Sequence, residues 1–168
     1  GLFVGPCSAQ GSDYRLHIDW GDGAFVTADP YAFAPLLSEE DLDALSRGHH
    51  PQLERVLGAH PTTIDGVEGV RFAVWAPSAR RVSVIGDFNS WDGRRHPMRL
   101  RHKAGIWELF IPQTAAGARY KYEILSTNGD LLPARADPVA FQSELAPATA
   151  SIVAQPDAYV WQDHAWMS

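Results

Sequence analysis

Hydrophobic and polar positions alternate with a period of two along several short stretches of the chain. Val82-Ser83-Val84-Ile85 is one such stretch and Tyr14-Arg15-Leu16-His17-Ile18 is another. This period sends successive side chains to opposite faces of an extended strand. It predicts strands over residues 69–75, 81–85, 96–101, 106–111, 120–126, 130–132 and 149–153. Seven short strands separated by turn residues predict an all-β fold, an immunoglobulin-like β-sandwich. The pattern changes between residues 37 and 61. Ser38-Glu39-Glu40-Asp41 resembles a capping box, Leu37, Leu42 and Leu45 give one apolar helical face, and Gly48 is a C′ stop. A second short helix is predicted over 52–57, ended by Gly58, and His60-Pro61-Thr62-Thr63 reads as a linker.

The chain repeats itself. Tyr14-Arg15-Leu16-His17-Ile18 matches Tyr120-Lys121-Tyr122-Glu123-Ile124, Asp22-Gly23 matches Asn128-Gly129, and Asp29-Pro30-Tyr31-Ala32-Phe33 matches Asp137-Pro138-Val139-Ala140-Phe141. Gly1-Leu2-Phe3 with Pro6 pairs more loosely with Gly105-Ile106-Trp107 with Pro112. Asp22-Gly23 is a hairpin signal, with a return strand at Phe25-Val26-Thr27. The earlier strands of the second copy have no counterpart in the first. The reading is therefore one whole sandwich and the C-terminal half of another, with native sequence expected upstream of Gly1. The alternative is a half-module that leans on the whole one. The expected division is 1–36 for the half-module, 37–61 for a helical connector, 62–157 for the sandwich and 158–168 for a tail.

Composition narrows the function. Hydrophobic residues are 45% and charged residues 20%, as in a folded chain. A net charge of −6 argues against nucleic-acid binding, which rests on neutralising phosphates. The cluster Arg94, Arg95, Arg99, Arg101 and Lys103 reads as the solvated face of a strand and its turns. Cys7 is the single cysteine, which excludes an internal disulfide and fits a reducing cytoplasm, the expected location. No apolar run is long enough for a membrane span. The histidines lack metal-ligand spacing and there is no glycine-rich phosphate loop, so neither metal nor cofactor is expected.

The turn after the strand at 81–85 carries Phe88 and Trp91 within Gly86-Asp87-Phe88-Asn89-Ser90-Trp91-Asp92. Phe88 is expected to face inward. An indole between polar neighbours suits a sugar ring, stacking on its C–H face while Asn89 and Asp92 bond hydroxyls. The other reading of Trp91 is a cap on the end of the sandwich core, and the residues alone leave both open.

The ordered set Phe72-Ala73-Val74-Trp75-Ala76-Pro77, Gly86 to Trp91, Tyr120-Lys121-Tyr122 and Ala136-Asp137-Pro138 resembles the carbohydrate-binding modules of family 48. Further stretches, among them Leu57-Gly58-Ala59-His60-Pro61, Gly93 to Met98 and Phe141 to Leu145, are similar to the N-terminal region of bacterial 1,4-α-glucan (glycogen) branching enzymes. The resemblance implies a non-catalytic region that contacts α-1,4-glucan and braces a catalytic barrel of the same protein. It implies Trp91 and Lys121 as glycan contacts. At the family's second tryptophan this chain has Asn128-Gly129-Asp130-Leu131-Leu132, without an aromatic, and Ser151 stands near a family asparagine. One lost stacking platform is worth about 1–3 kcal/mol.

Catalysis by the chain itself is not expected. A (β/α)₈ barrel needs about 250 residues. Asp87 and Asp92 on one solvated turn lack the environment that separates an acid from a nucleophile. Two other readings are a stand-alone glycogen-binding adaptor and a purely structural module of an α-glucan-active enzyme. The aromatics at Tyr159, Trp161 and Trp166 are expected to dock on a following domain.

Overall fold

The computed structural model describes residues 14–19 and 23–155. Cys7, the Gly1-Leu2-Phe3 arm of the repeat, Asp22 and the aromatic tail lie outside the described residues. The elements are β1 (Arg15–Asp19), β2 (Ala24–Ala28), α1 (Glu39–Ser46), α2 (Leu53–Val56), β3 (Gly58–Ile64), β4 (Val67–Trp75), β5 (Ala79–Gly86), β6 (Arg99–Arg101), β7 (Ile106–Pro112), β8 (Arg119–Ser126), β9 (Gln142–Ser143) and β10 (Ser151–Ile152). Two four-stranded antiparallel sheets, β3-β4-β7-β6 and β5-β8-β10-β9, form the sandwich, and β1-β2 pair separately.

Strand alternation builds the core. Val70, Phe72 and Val74 of β4 and Leu109 and Ile111 of β7 face Val82 and Val84 of β5 and Tyr120 and Tyr122 of β8. Each such side chain contributes about 1.5–3 kcal/mol by leaving water. The predicted strand at 96–101 divides between the sheets. His96–Met98 bond the edge of β5, through Val84 N–H to His96 O (3.2 Å) and Met98 N–H to Val82 O (2.8 Å), and only Arg99–Arg101 joins β7. The predicted strand at 130–132 is reduced to one bridge, Leu125 to Leu131.

The expected linker His60-Pro61-Thr62-Thr63 is part of β3, which adds an edge to the first sheet. Proline lacks an N–H and suits an edge strand, where one side of the backbone has no partner. Pro61 sits opposite Val70 in that ladder.

β7 is buried on both faces, because the connector covers the outside of its sheet. Ser38 caps α1, its Oγ accepting from Asp41 N–H at 3.1 Å. Leu37, Leu42, Val56 and Leu57 pack on Ala73 and Ile106, and Phe33 meets Phe110 edge-on at 4.7 Å. Burial here encloses Glu108, only 2% exposed. Its carboxylate accepts from Leu36 N–H (3.2 Å), Leu37 N–H (3.1 Å) and Arg101 Nη1 (2.5 Å). Arg101 also reaches Glu39 Oε1 at 2.6 Å, and Arg99 donates to Phe33 O at 2.6 Å and to Tyr31 O. Arg99 and Arg101 are thus not a solvated face. They tie residues 31–39 to the sandwich, because that segment brings its carbonyls over their strand.

The repeat is visible as matching hydrogen bonds. Tyr120 Oη donates to Asp137 Oδ2 at 2.8 Å and Val139 N–H to Asp137 Oδ1 at 3.0 Å. In the first copy Tyr14 Oη donates to Asp29 Oδ2 and Tyr31 N–H to Asp29 Oδ1 at 2.8 Å. The Pro30–Ala32 turn that follows β2 reaches the rim of the sandwich, with Tyr31 Oη donating to Pro97 O at 2.8 Å.

Removing the Glu108 carboxylate leaves the buried Leu37 N–H without its acceptor and Arg101 with Glu39 alone, a cost of about 1–3 kcal/mol for the unmet hydrogen bonds. Glu108→Ala is expected to lose that much in urea unfolding and to expose residues 31–46 to faster amide exchange. A loss below about 1 kcal/mol would contradict the role given to Glu108.

Candidate functional site

β5 ends at Gly86, where the chain turns sharply. A Cβ at Gly86 would lie 2.3 Å from Arg119 O, so the strand end closes on β8 only with glycine there. Residues Asp87–Asn89 form one 3-10 turn, and Ser90 and Trp91 follow with φ of 55° and 60°. Positive φ in a residue as bulky as tryptophan is a strained state that neighbouring contacts must hold.

Asn89 holds it from beneath. It is 1% exposed. Its Oδ1 accepts from Gly86 N–H at 2.9 Å, and its Nδ2 donates to Val84 O at 2.9 Å and lies 2.9 Å from His96 Nδ1. The amide expected to bond sugar hydroxyls is committed within the turn. Trp91 N–H donates to Gly86 O at 3.0 Å, closing the loop. Phe88 turns inward as expected, its ring 5.6 Å from Phe72.

Trp91 is 38% exposed and stands outside the core cluster. Asp87, four residues before it in the same turn, has a carboxylate below the usual range chiefly because Arg119 bonds it. Arg119 grips Asp87 with Nε to Oδ2 and Nη2 to Oδ1, both 3.0 Å. Asp92 faces the other way. Arg94 takes both its oxygens, Nε to Oδ1 at 2.9 Å and Nη2 to Oδ2 at 2.7 Å, and holds it far below the ordinary carboxylate range. Gly93 lies under the Glu123 carboxylate of β8, where a Cβ would be 2.2 Å from Oε1 and would push that side chain aside.

Lys121 sits on β8 opposite Ile85, one residue before the Gly86 that anchors Trp91. Its Nζ donates to Thr149 Oγ1 at 2.6 Å. Thr149 belongs to the 144–150 turn, closed by Glu144 N–H to Ala150 O at 2.9 Å and Ala150 N–H to Glu144 Oε2 at 2.9 Å. At its tip Leu145 is 89% exposed. Trp91 and Lys121 thus both lie toward the Gly86 end of the second sheet, with Asn89 buried in the turn and Asp92 tied to Arg94.

Arg119, Leu145 and Thr149 had no sequence signal that singled them out. The chain folds them in only through the pairing of β8 with β10. Ser151 is 1% exposed, and its Oγ accepts from Asp137 N–H at 2.8 Å, so it points into the core. Leu131, on the hairpin without an aromatic, is 59% exposed. Among the described residues no three His, Cys, Asp or Glu side chains gather to hold a metal ion, and no helix is long and apolar enough to cross a membrane.

The chain is an antiparallel immunoglobulin-like sandwich with a partly exposed indole at a strand end. The chain belongs to the carbohydrate-binding module 48 family (isoamylase N-terminal domain), whose model matches residues 56–140. Over its full length it is 60% identical to 1,4-alpha-glucan branching enzyme GlgB 1 of Xanthomonas campestris pv. campestris, and it spans 23% of that protein. It is 58% identical over 167 residues to 1,4-alpha-glucan branching enzyme GlgB of Pseudomonas fluorescens, spanning 22% of it. Among solved structures, pullulanase type I from Bacillus subtilis, complexed with maltose, matches 62% of the chain at 25% identity and a TM-score of 0.50, using 14% of the pullulanase.

His96 links the turn to pH. Burial, with Arg95 adding to it, lowers its pKa from 6.5 to about 4. The neutral ring has Nδ1 free to accept from Asn89, and a proton there would oppose two donors. Between pH 6.5 and 4 the unfolded chain binds a proton that the folded chain does not. The stability from this site is complete above pH 6.5 and falls by about 1 kcal/mol per pH unit below it. Urea unfolding across that window should show this slope, and His96→Gln should flatten it. An unchanged slope in His96→Gln would contradict this assignment.

Proposed function

We propose that the chain is the non-catalytic, glucan-contacting N-terminal part of a 1,4-α-glucan branching enzyme, working in the cytoplasm in glycogen synthesis. The parent enzyme cleaves an α-1,4 link and re-forms it as α-1,6 on a barrel outside this chain. The sandwich braces that barrel and holds α-1,4-glucan near it. The observation that carries the glucan-binding part is Trp91, exposed on a strained turn that Asn89 makes rigid. The relatives' names support the choice of α-glucan and of branching.

In this reading Trp91 stacks on a pyranose face, Lys121 donates to hydroxyls from its seat on Thr149, and Leu145 supplies an apolar knob beside them. Asn89 serves by holding the turn. Asp92, bound by Arg94, offers its remaining lone pairs to a hydroxyl. A pure brace is the second reading, favoured by the exposed Leu131 and buried Ser151 where the family places contacts.

The test is calorimetry with maltoheptaose. Trp91→Ala is expected to weaken binding about tenfold or more, the scale of a central aromatic anchor, and Lys121→Ala by a smaller factor. Equal affinity in wild type and Trp91→Ala would overturn the glucan site and leave the brace. Branching of amylose by the isolated chain, seen as altered iodine colour, would overturn the non-catalytic assignment.

A further inference from the structure

The glucan surface proposed above is assembled from two segments 50 residues or more apart in sequence, the Trp91 loop and the 144–150 turn. One side chain joins them. Arg119, at the start of β8, binds Asp87 through two parallel 3.0 Å hydrogen bonds and reaches Glu144 Oε1 with Nη1 at 3.4 Å. Asp87 opens the turn that leads into Trp91, whose backbone N–H donates to Gly86 O at 3.0 Å, and Glu144 holds the Ala150 N–H at 2.9 Å. The relay runs Asp87, Arg119, Glu144, Ala150, and it joins the loop of Trp91 to the turn of Thr149, which is bonded to Lys121.

We infer that Arg119 is the positioning residue of this surface: its guanidinium fixes the loop that carries Trp91 and the Leu145–Thr149 turn in one arrangement before sugar arrives. This inference rests on the glucan reading of Trp91.

The physics favours a positioning role over a stabilising one. The Arg119 and Asp87 side chains are 52% and 38% exposed. Ion pairs that exposed add little to folding stability because water screens them. A bidentate fork is geometrically demanding, however, and a guanidinium holds one carboxylate with two parallel bonds while reaching a second, where an ammonium acts only as a point charge without a fixed orientation. An indole that is free to rotate must be ordered on binding, and that ordering opposes affinity. The backbone tether survives any change of side chain, since Arg119 N–H also donates to Asp87 Oδ2 at 3.1 Å. Substitution therefore probes the guanidinium and not the closure of the loop.

The experiment pairs calorimetry with the NMR signal of the Trp91 indole N–H, assigned by its loss in Trp91→Ala. Arg119→Gln should move and broaden the indole signal without sugar. It should weaken maltoheptaose by roughly three- to tenfold, the ordering cost of one interface side chain, with little change in unfolding midpoint. Arg119→Lys should fall between wild type and Gln. In a Trp91→Ala background, Arg119→Gln should have no further effect on affinity. If Trp91→Ala abolishes binding while Arg119→Gln leaves the indole signal and the affinity unchanged, the positioning role is overturned and the glucan site stands. If the wild type binds no maltoheptaose, both fall together.

Discussion

The Asn89 amide is the interaction on which the turn that carries Trp91 depends. A strand that leaves the core at Gly86 must turn within a few residues, and the turn has backbone groups that a sheet edge cannot satisfy. Asn89 answers them from inside, bonding Gly86 N–H and Val84 O at once. With the turn closed, the chain can hold Ser90 and Trp91 at positive φ. A large apolar side chain then stands in water on a rigid support. Exposing a tryptophan sacrifices the free energy of burying it, and the structure spends a buried amide to keep it there. The third partner, His96, must stay neutral for the amide to be satisfied, which ties the loop to pH.

The same logic recurs wherever a polar group is buried. Asp137 gathers Tyr120 Oη, Tyr122 Oη at 3.2 Å and Val139 N–H, and its own N–H donates to Ser151. That cluster fixes β8, the 136–139 turn and β10 against one another, and β8 and β10 are the strands that carry Lys121 and border Thr149. Burial and the nearby carboxylate push both tyrosine hydroxyls far above their ordinary pKa, so they act as donors throughout the physiological range. Glu108 does the equivalent on the opposite sheet, where it anchors the strap that covers β7. Each carboxylate is placed where two segments distant in sequence must meet.

Much of this was legible in the residues. Period-two stretches gave β4, β5, β7 and β8 to within about two residues, because each has a core face and another face to alternate between. Ser38 and Gly48 marked the ends of α1 through cap chemistry. β3 was hidden by Pro61, which reads as a breaker in isolation and is tolerated only because the strand lies at the edge. Arg99 and Arg101 read as solvated, since nothing local reveals that residues 31–39 will cross over them. At the candidate site Trp91 and Lys121 stood out as residue types in a motif. Arg119, Leu145 and Thr149 did not, because they come near that strand end only once β10 pairs with β8. Asn89 was visible as a polar turn residue, but its direction, into the protein, is a property of the folded turn.

The most direct measurement is amide NMR of the chain titrated with maltoheptaose. The account predicts perturbed signals confined to residues 87–92, 119–121 and 144–150, with the outer face of the β3-β4-β7-β6 sheet silent. Perturbations centred elsewhere, or none at millimolar sugar, would contradict the claim that this strand end is a glucan-binding surface.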